Sequence, residues 1–409
     1  MKPFLARPRT CFAAVALGLA ALAPASWGVV NVALTEVPDY QWSWGCFGTA
    51  TGNLMGYWDR HGFPNFYTGP TGGGVAPLTS TSANASIYAL WASRAGVDGR
   101  PADLPGHCDD YWIQLEPYSY EDTGPDPYVL AGRPEHEPDC IGDFIGLSQN
   151  KWPDLNGECQ GNIDAFSFVF WDATGDRRAN YVPTAADGTV IPDIPSGLRA
   201  WTRYRGSDAM VFSQLTDFNP TVGSGHGFTF EDMKAEIDAG YPVLLFLQRY
   251  DQLSRALPGM PRANPEMHGM LAYGYYITDD GDVRVRYKTS WGSSGDLTLS
   301  RWTSAYWQAE LPVRGVIAYH PLPRITQMRR TGGALTVEWE GPDSVLTDFA
   351  SHTTTRLHSY VLEKAPALNP SEFSPVAEPT TERSVTIPDC CPAEAGFFRL
   401  RLVTANVAQ

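Results

Sequence analysis

Basic residues are scarce in this chain: 30 Lys and Arg stand against 45 Asp and Glu in 409 residues, a formal charge of −15. A surface of that sign repels nucleic acid and anionic lipid, so neither is an expected partner. After residue 23 there is no apolar run long enough to cross a bilayer. The apolar run at 11–23 is itself too short to span one. It follows Lys2, Arg7 and Arg9 and ends before Ala23-Pro24-Ala25, and it reads as a signal peptide over 1–25 with export to a secreted or periplasmic location; an uncleaved anchor is the competing reading. Removing its three basic residues takes the charge from −15 to −18. Cysteine is sparse as well, at seven residues. If Cys46 stays free, Cys108, Cys140, Cys159, Cys390 and Cys391 remain, an odd number that leaves at least one unpaired and does not choose among pairings. No His, Asp and Glu set has a recognised metal-loop spacing. His107 with Asp109 and Asp110, His136 with Asp139 and Asp143, and Asp172 with Asp176 therefore read as solvated acidic loops. No metal or cofactor is expected.

What is present points to two folded units, residues 26–320 and 324–409, joined by the stiff Pro321-Leu322-Pro323. Between 101 and 160 thirteen acidic residues face only Arg133 and Lys151, and an irregular acidic insertion at about 101–190 is the reading. An acidic rim would draw a basic segment of a peptide or protein partner. Helical spacing predicts helices at 47–61, 80–94, 195–205 and from Thr229, which caps with Asp232 three residues on, to Gly240. Strands are predicted at 209–215, 243–247, 269–277, 283–290 and 311–320. From 324 on, period-two alternation at 335–339 and 398–402, with short strands at 360–363 and 384–387, predicts a small all-β sandwich. The fold class is α+β.

The chain is organised around Gln41-Trp42-Ser43-Trp44-Gly45-Cys46 and the helix behind it. A cysteine at a helix start meets unpaired N–H groups and the positive end of the dipole, which favour a thiolate and so a nucleophile. A structural cysteine in an aromatic core is the alternative. Gly48, Gly52 and Gly56 share one stripe of the helix, where another stretch of backbone is expected to pack closely. Far along the chain His268 heads a strand whose hairpin partner runs into Thr289-Ser290-Trp291-Gly292. His226, between glycines, reads as a loop residue.

These residues resemble a papain-like cysteine peptidase, and more closely its bacteriocin-processing (double-glycine leader peptidase-like) branch. The resemblance covers about 38–62 and 228–296. It implies a papain-like fold, Cys46 as nucleophile, His268 as base, and an oxyanion hole from the Gln41 amide and the Cys46 N–H. The family's strand ends Asn-Ser-Trp-Gly; here Thr289 stands in place of the Asn, and its hydroxyl is expected to accept from the imidazole. Asp282 and Asp143 are candidates to substitute in that orienting role. The sandwich resembles a fibronectin type III module. Three functions follow: an exported thiol protease, an acyltransferase on the same site, or a binding protein that keeps the fold without turnover.

Overall fold

The computed structural model describes residues 29–41, 46–67, 75–79, 124–125, 141–145, 158–159, 169, 171–184, 186–190, 193–217, 226–248, 267–298, 301–304, 309–369, 372–388 and 396–405. The signal peptide, the 80–94 helix and nearly all of 101–168 lie outside them. So do Cys108, Cys140, Cys390 and Cys391, and the Cys159 side chain.

The chain enters on strand β1 (Val30–Leu34) and passes to helix α1 (Cys46–Arg60). The alternation of Val30, Val32 and Leu34 with smaller or polar neighbours is a strand signal that the reading above did not use. Through the insertion the described pieces are short: β2 (Gly124–Pro125), α2 (Ile141–Phe144), β3 (Glu158–Cys159) and β4 (Arg178–Ala179). Helix α3 (Ile194–Tyr204) starts where the Asp193 carboxylate accepts the Ser196 N–H, and strand β5 (Ala209–Leu215) follows. Helix α4 (Phe230–Asp238) carries the capping box read from Thr229 and Asp232. Then come β6 (Val243–Gln248), β7 (Met267–Ile277), β8 (Val283–Lys288), β9 (Ser294–Thr298), β10 (Arg301–Ser304) and β11 (Ala309–Pro321).

Pairings among these last six strands return to their start: β7 pairs β8, β8 pairs β9, β9 pairs β10, β10 pairs β11, β11 pairs β6 and β6 pairs β7. A closed circuit of antiparallel pairs leaves few free edges. Beyond residue 324 lie β12 (Arg324–Thr331), β13 (Ala334–Glu340), β14 (Val345–Asp348), β15 (Thr353–Arg356), β16 (His358–Ala365), β17 (Ser374–Pro375), β18 (Ser384–Ile387) and β19 (Phe397–Thr404). Two three-stranded sheets, β12-β13-β18 and β17-β16-β19, enclose Leu335, Val337, Trp339, Tyr360 and Leu362. Strands β14 and β15 leave that pair of sheets. They extend the large sheet through β1, with Val32 opposite Asp348 and Leu34 opposite Leu346. The 324–409 stretch thus contributes to both cores. Helices with mostly antiparallel sheets make the chain α+β.

Helix α1 is the centre of the larger core. Every residue from Cys46 to Asp59 is buried, as expected of a helix with neighbours all round rather than on one face. At Gly56, the last glycine of the expected stripe, the close neighbours are side chains. A Cβ on Gly56 would lie 2.5 Å from the Tyr40 hydroxyl and 3.1 Å from Pro38 Cγ. At the helix end the Asp59 carboxylate accepts the N–H groups of Tyr67 (2.9 Å) and Ala76 (2.8 Å). Burial pushes Asp59 up to about 6 in spite of those two bonds.

Candidate active site

Strand β7 brings the two halves of the site together. Its pairing with β6 sets Leu247 opposite His268 and Phe246 opposite Gly269, and the tip of α1 lies over this point. The N–H of Gly269 donates to Cys46 Sγ at 3.3 Å. An N–H aimed at sulfur favours negative charge developing there. The approach depends on glycine, because a Cβ on Gly269 would fall 2.7 Å from Phe47 Cδ1 and 3.0 Å from Phe47 Cα. Phe47 cannot yield easily, being fully buried with its ring 5.2 Å from that of Phe246. Gly269→Ala is therefore expected to lift the helix tip off β7, costing about 1–3 kcal/mol of stability. Urea unfolding checks the stability, and the rate of Cys46 alkylation checks the site; an unchanged value of both would refute the close packing as a constraint.

His268 is fully buried, and its Nε2 lies 2.6 Å from the Thr289 carbonyl oxygen. A carbonyl only accepts, so Nε2 carries the hydrogen and Nδ1 is the basic nitrogen. Burial pushes the imidazole down to about 3, against the opposing bond to Thr289. At neutral pH the ring is uncharged. The Trp291 ring covers it at 4.3 Å, 33° from parallel.

The expectation that the Thr289 hydroxyl would orient the ring is corrected. That hydroxyl serves its own turn, donating to the Ser293 carbonyl at 2.9 Å and accepting the Trp291 N–H at 3.1 Å. The orienting acceptor is the backbone of the same residue, which no side-chain motif encodes. Asp282 does not substitute. It sits at the opposite end of β7, in the exposed turn, where it accepts from Arg284 Nε at 2.9 Å. The Asp143 side chain lies outside the described residues. His226 is a loop residue, exposed, 3.5 Å from Asp176, as its sequence setting implied. In the neighbouring loop Asp172 Oδ1 accepts from Thr174 N at 2.9 Å, closing a local turn.

Gln41 reaches the same place from the other side. The Gly292 N–H donates to the Tyr40 carbonyl at 2.9 Å, and a Cβ on Gly292, whose φ is +69°, would sit 2.7 Å from Gln41 Cγ. Gln41 is exposed and lies over the turn whose Trp291 covers His268. Asn53, which sequence reasoning passed over, anchors this arrangement from inside α1. Its side-chain oxygen takes the Tyr40 N–H at 3.0 Å. The available signal was an amide amid an otherwise apolar helix face.

Cys46, His268, Thr289 and Gln41 are thus gathered around one turn and one strand end, although more than two hundred residues separate the first two. Together they set the Cys46 sulfur against the N–H of the residue that follows His268, whose neutral imidazole is held in one tautomer. Residues 42–45, which precede the cysteine, lie outside the described residues. No protein-family model, curated protein or solved structure matches the chain.

Proposed function

We propose that this chain is an exported cysteine peptidase of papain-like type. The observation that supports this is the Cys46 sulfur bonded by the N–H of the residue next to His268, whose ring is held in one tautomer. In the reaction, the sulfur attacks a peptide carbonyl carbon while its proton passes to His268 Nδ1. The Gln41 amide and the Cys46 N–H receive the charge that forms on the carbonyl oxygen. Collapse breaks the C–N bond, and the imidazolium gives its proton to the leaving amine. Water then attacks the thioester carbonyl, with His268 taking a proton from it; the C–S bond breaks, the carboxylic acid leaves, and the imidazolium returns the proton to sulfur. The negative surface suits a substrate with a basic segment. The pair of three-stranded sheets near the C-terminus serves as a fibronectin type III-like spacer or attachment module, with no group in it that we assign to chemistry.

One observation favours the second reading, a binding protein without turnover: sulfur and imidazole are both buried, Cys46 at 3% exposure and His268 at 0%. Reaction with a thiol-directed acyl mimic separates the two. The enzyme is expected to take up one equivalent at Cys46, faster than the urea-unfolded chain does. Labelling no faster than in the unfolded chain would make it the binding protein. Products formed with and without an added amine then distinguish hydrolysis from acyl transfer.

A further inference from the structure

We propose that Ser290 is the positioning residue of the dyad: by holding the Thr289 carbonyl against the imidazole, it keeps the proton of His268 on Nε2. The inference rests on the peptidase reading for its consequence, though not for its geometry. Four described residues other than glycine have positive φ: Glu36, Asn180, Ser290 and His352. Three of them are exposed. Ser290, at φ 64°, is fully buried. A side chain held in the left-handed region costs free energy and persists where its surroundings over-determine it.

What the conformation achieves can be read from the bonds. The peptide group between 289 and 290 carries the Thr289 carbonyl, and its plane is set by ψ of 289 and φ of 290. With φ of 290 positive, that oxygen lies 2.6 Å from His268 Nε2. The Ser290 hydroxyl donates to the Gly269 carbonyl at 2.9 Å. Two consecutive residues of the turn thereby grip two consecutive residues of β7. The second of these, Gly269, is the one whose N–H reaches Cys46 Sγ. The Thr289 hydroxyl and N–H both bond to the Ser293 carbonyl, at 2.9 and 2.8 Å, and close the turn behind this grip. A side-chain acceptor for the imidazole is unnecessary in such an arrangement. The turn presents a backbone oxygen instead, and the Ser290 hydroxyl ties that turn to β7.

The test uses the full chain with 15N-labelled histidine. In the native protein the His268 ring is expected to show one tautomer, protonated at Nε2. Ser290→Ala removes the grip but keeps the strained φ. It is expected to bring the Nδ1-protonated form to tens of per cent and to slow Cys46 labelling about tenfold, with a changed pH profile. Ser290→Gly adopts the same φ without strain, so it folds even if the alanine variant does not, and it lacks the hydroxyl together with its Cβ; the same tautomer change is expected. Thr289→Val loses the hydroxyl and keeps the carbonyl, and its tautomer should stay as in the native chain. A folded Ser290→Gly with an unchanged ring spectrum would overturn the proposal, as would a Thr289→Val shift of equal size. Because the ring spectrum needs no turnover, it judges the positioning role even if Cys46 proves unreactive.

Discussion

Cys46→Ala and His268→Gln are each expected to lower the cleavage rate of a fluorogenic peptide library by about 10⁴-fold, with the double variant no slower than either single one. In the proposed reaction the sulfur and the imidazole act on the same proton in the same step, so removing one leaves the other nothing to do. Glutamine is the informative replacement for His268. It fills much of the ring's space and retains an N–H for the Thr289 carbonyl, which lies 2.6 Å from Nε2, yet it cannot take up a proton at neutral pH. Alanine would instead open a cavity in a fully buried site and mix folding with chemistry. Urea midpoints of the variants, measured beside the rates, keep the two apart. Losses that add in the double variant, or a His268→Gln enzyme that retains its rate, would dissolve the dyad.

Acid is expected to destabilise the fold by about 3–4 kcal/mol between pH 7 and pH 4. Three histidines are buried uncharged. His268 is pushed down to about 3 and His358 to about 4, while His61 is lowered as well, desolvation being the main cause in each. In the unfolded chain all three take up protons near pH 6.5, whereas the native chain refuses them until lower pH. Their contribution is therefore complete above about 6.5 and is lost as pH falls toward 3. Asp59, pushed up to about 6, works the other way. It binds a proton in the native chain before it does in the unfolded one, so it recovers part of the loss between about 6 and 4. Asp39 and Asp238 are also raised by burial and act in the same sense.

His358 is the clearest place to test this. Its Nδ1 accepts the Ser344 N–H at 3.1 Å and its Nε2 donates to the Ala239 carbonyl at 3.0 Å. A protonated ring would put a hydrogen where the Ser344 N–H already points. Asp343 nearby favours the charge, while Arg383 and His61 oppose it. His358→Gln cannot titrate and should reduce the acid loss by about 1–2 kcal/mol. Urea midpoints that do not change between pH 7 and 4 would show that these rings are not buried neutral in solution.

The parts of this fold that could be read ahead were those fixed by local chemistry. The Thr229 and Asp232 cap, the continuous Val243-Leu244-Leu245-Phe246-Leu247 and the His268 hairpin all lie where spacing and capping put them. What escaped depended on distant partners. Strands β9 and β10 are short, with Ser294-Gly295-Asp296 polar and Arg301-Trp302-Thr303 of mixed character, and become strands through neighbours in the circuit. Strands β14 and β15 sit in a stretch whose alternation signals a separate sandwich, and only pairing with β1 takes them away from it. In the site, Cys46 and His268 could be nominated from residue type and position. The acceptor for the imidazole could not, since a main-chain oxygen belongs to every residue alike and Thr289 drew notice for its hydroxyl.

The closed circuit also sets the order in which the chain can assemble its candidate site. Cys46 precedes all of the circuit's strands in the chain. The strand end carrying His268 is locked on one flank by β6, and β6 waits for Val313–Ala318 of β11, while β1 waits for Val345–Asp348. Contacts spanning roughly three hundred residues form slowly, because so long a loop must close first. The contacts that fix β7, and with it the Cys46–Gly269 hydrogen bond, are therefore expected to come late in folding, after strands far along the chain have paired.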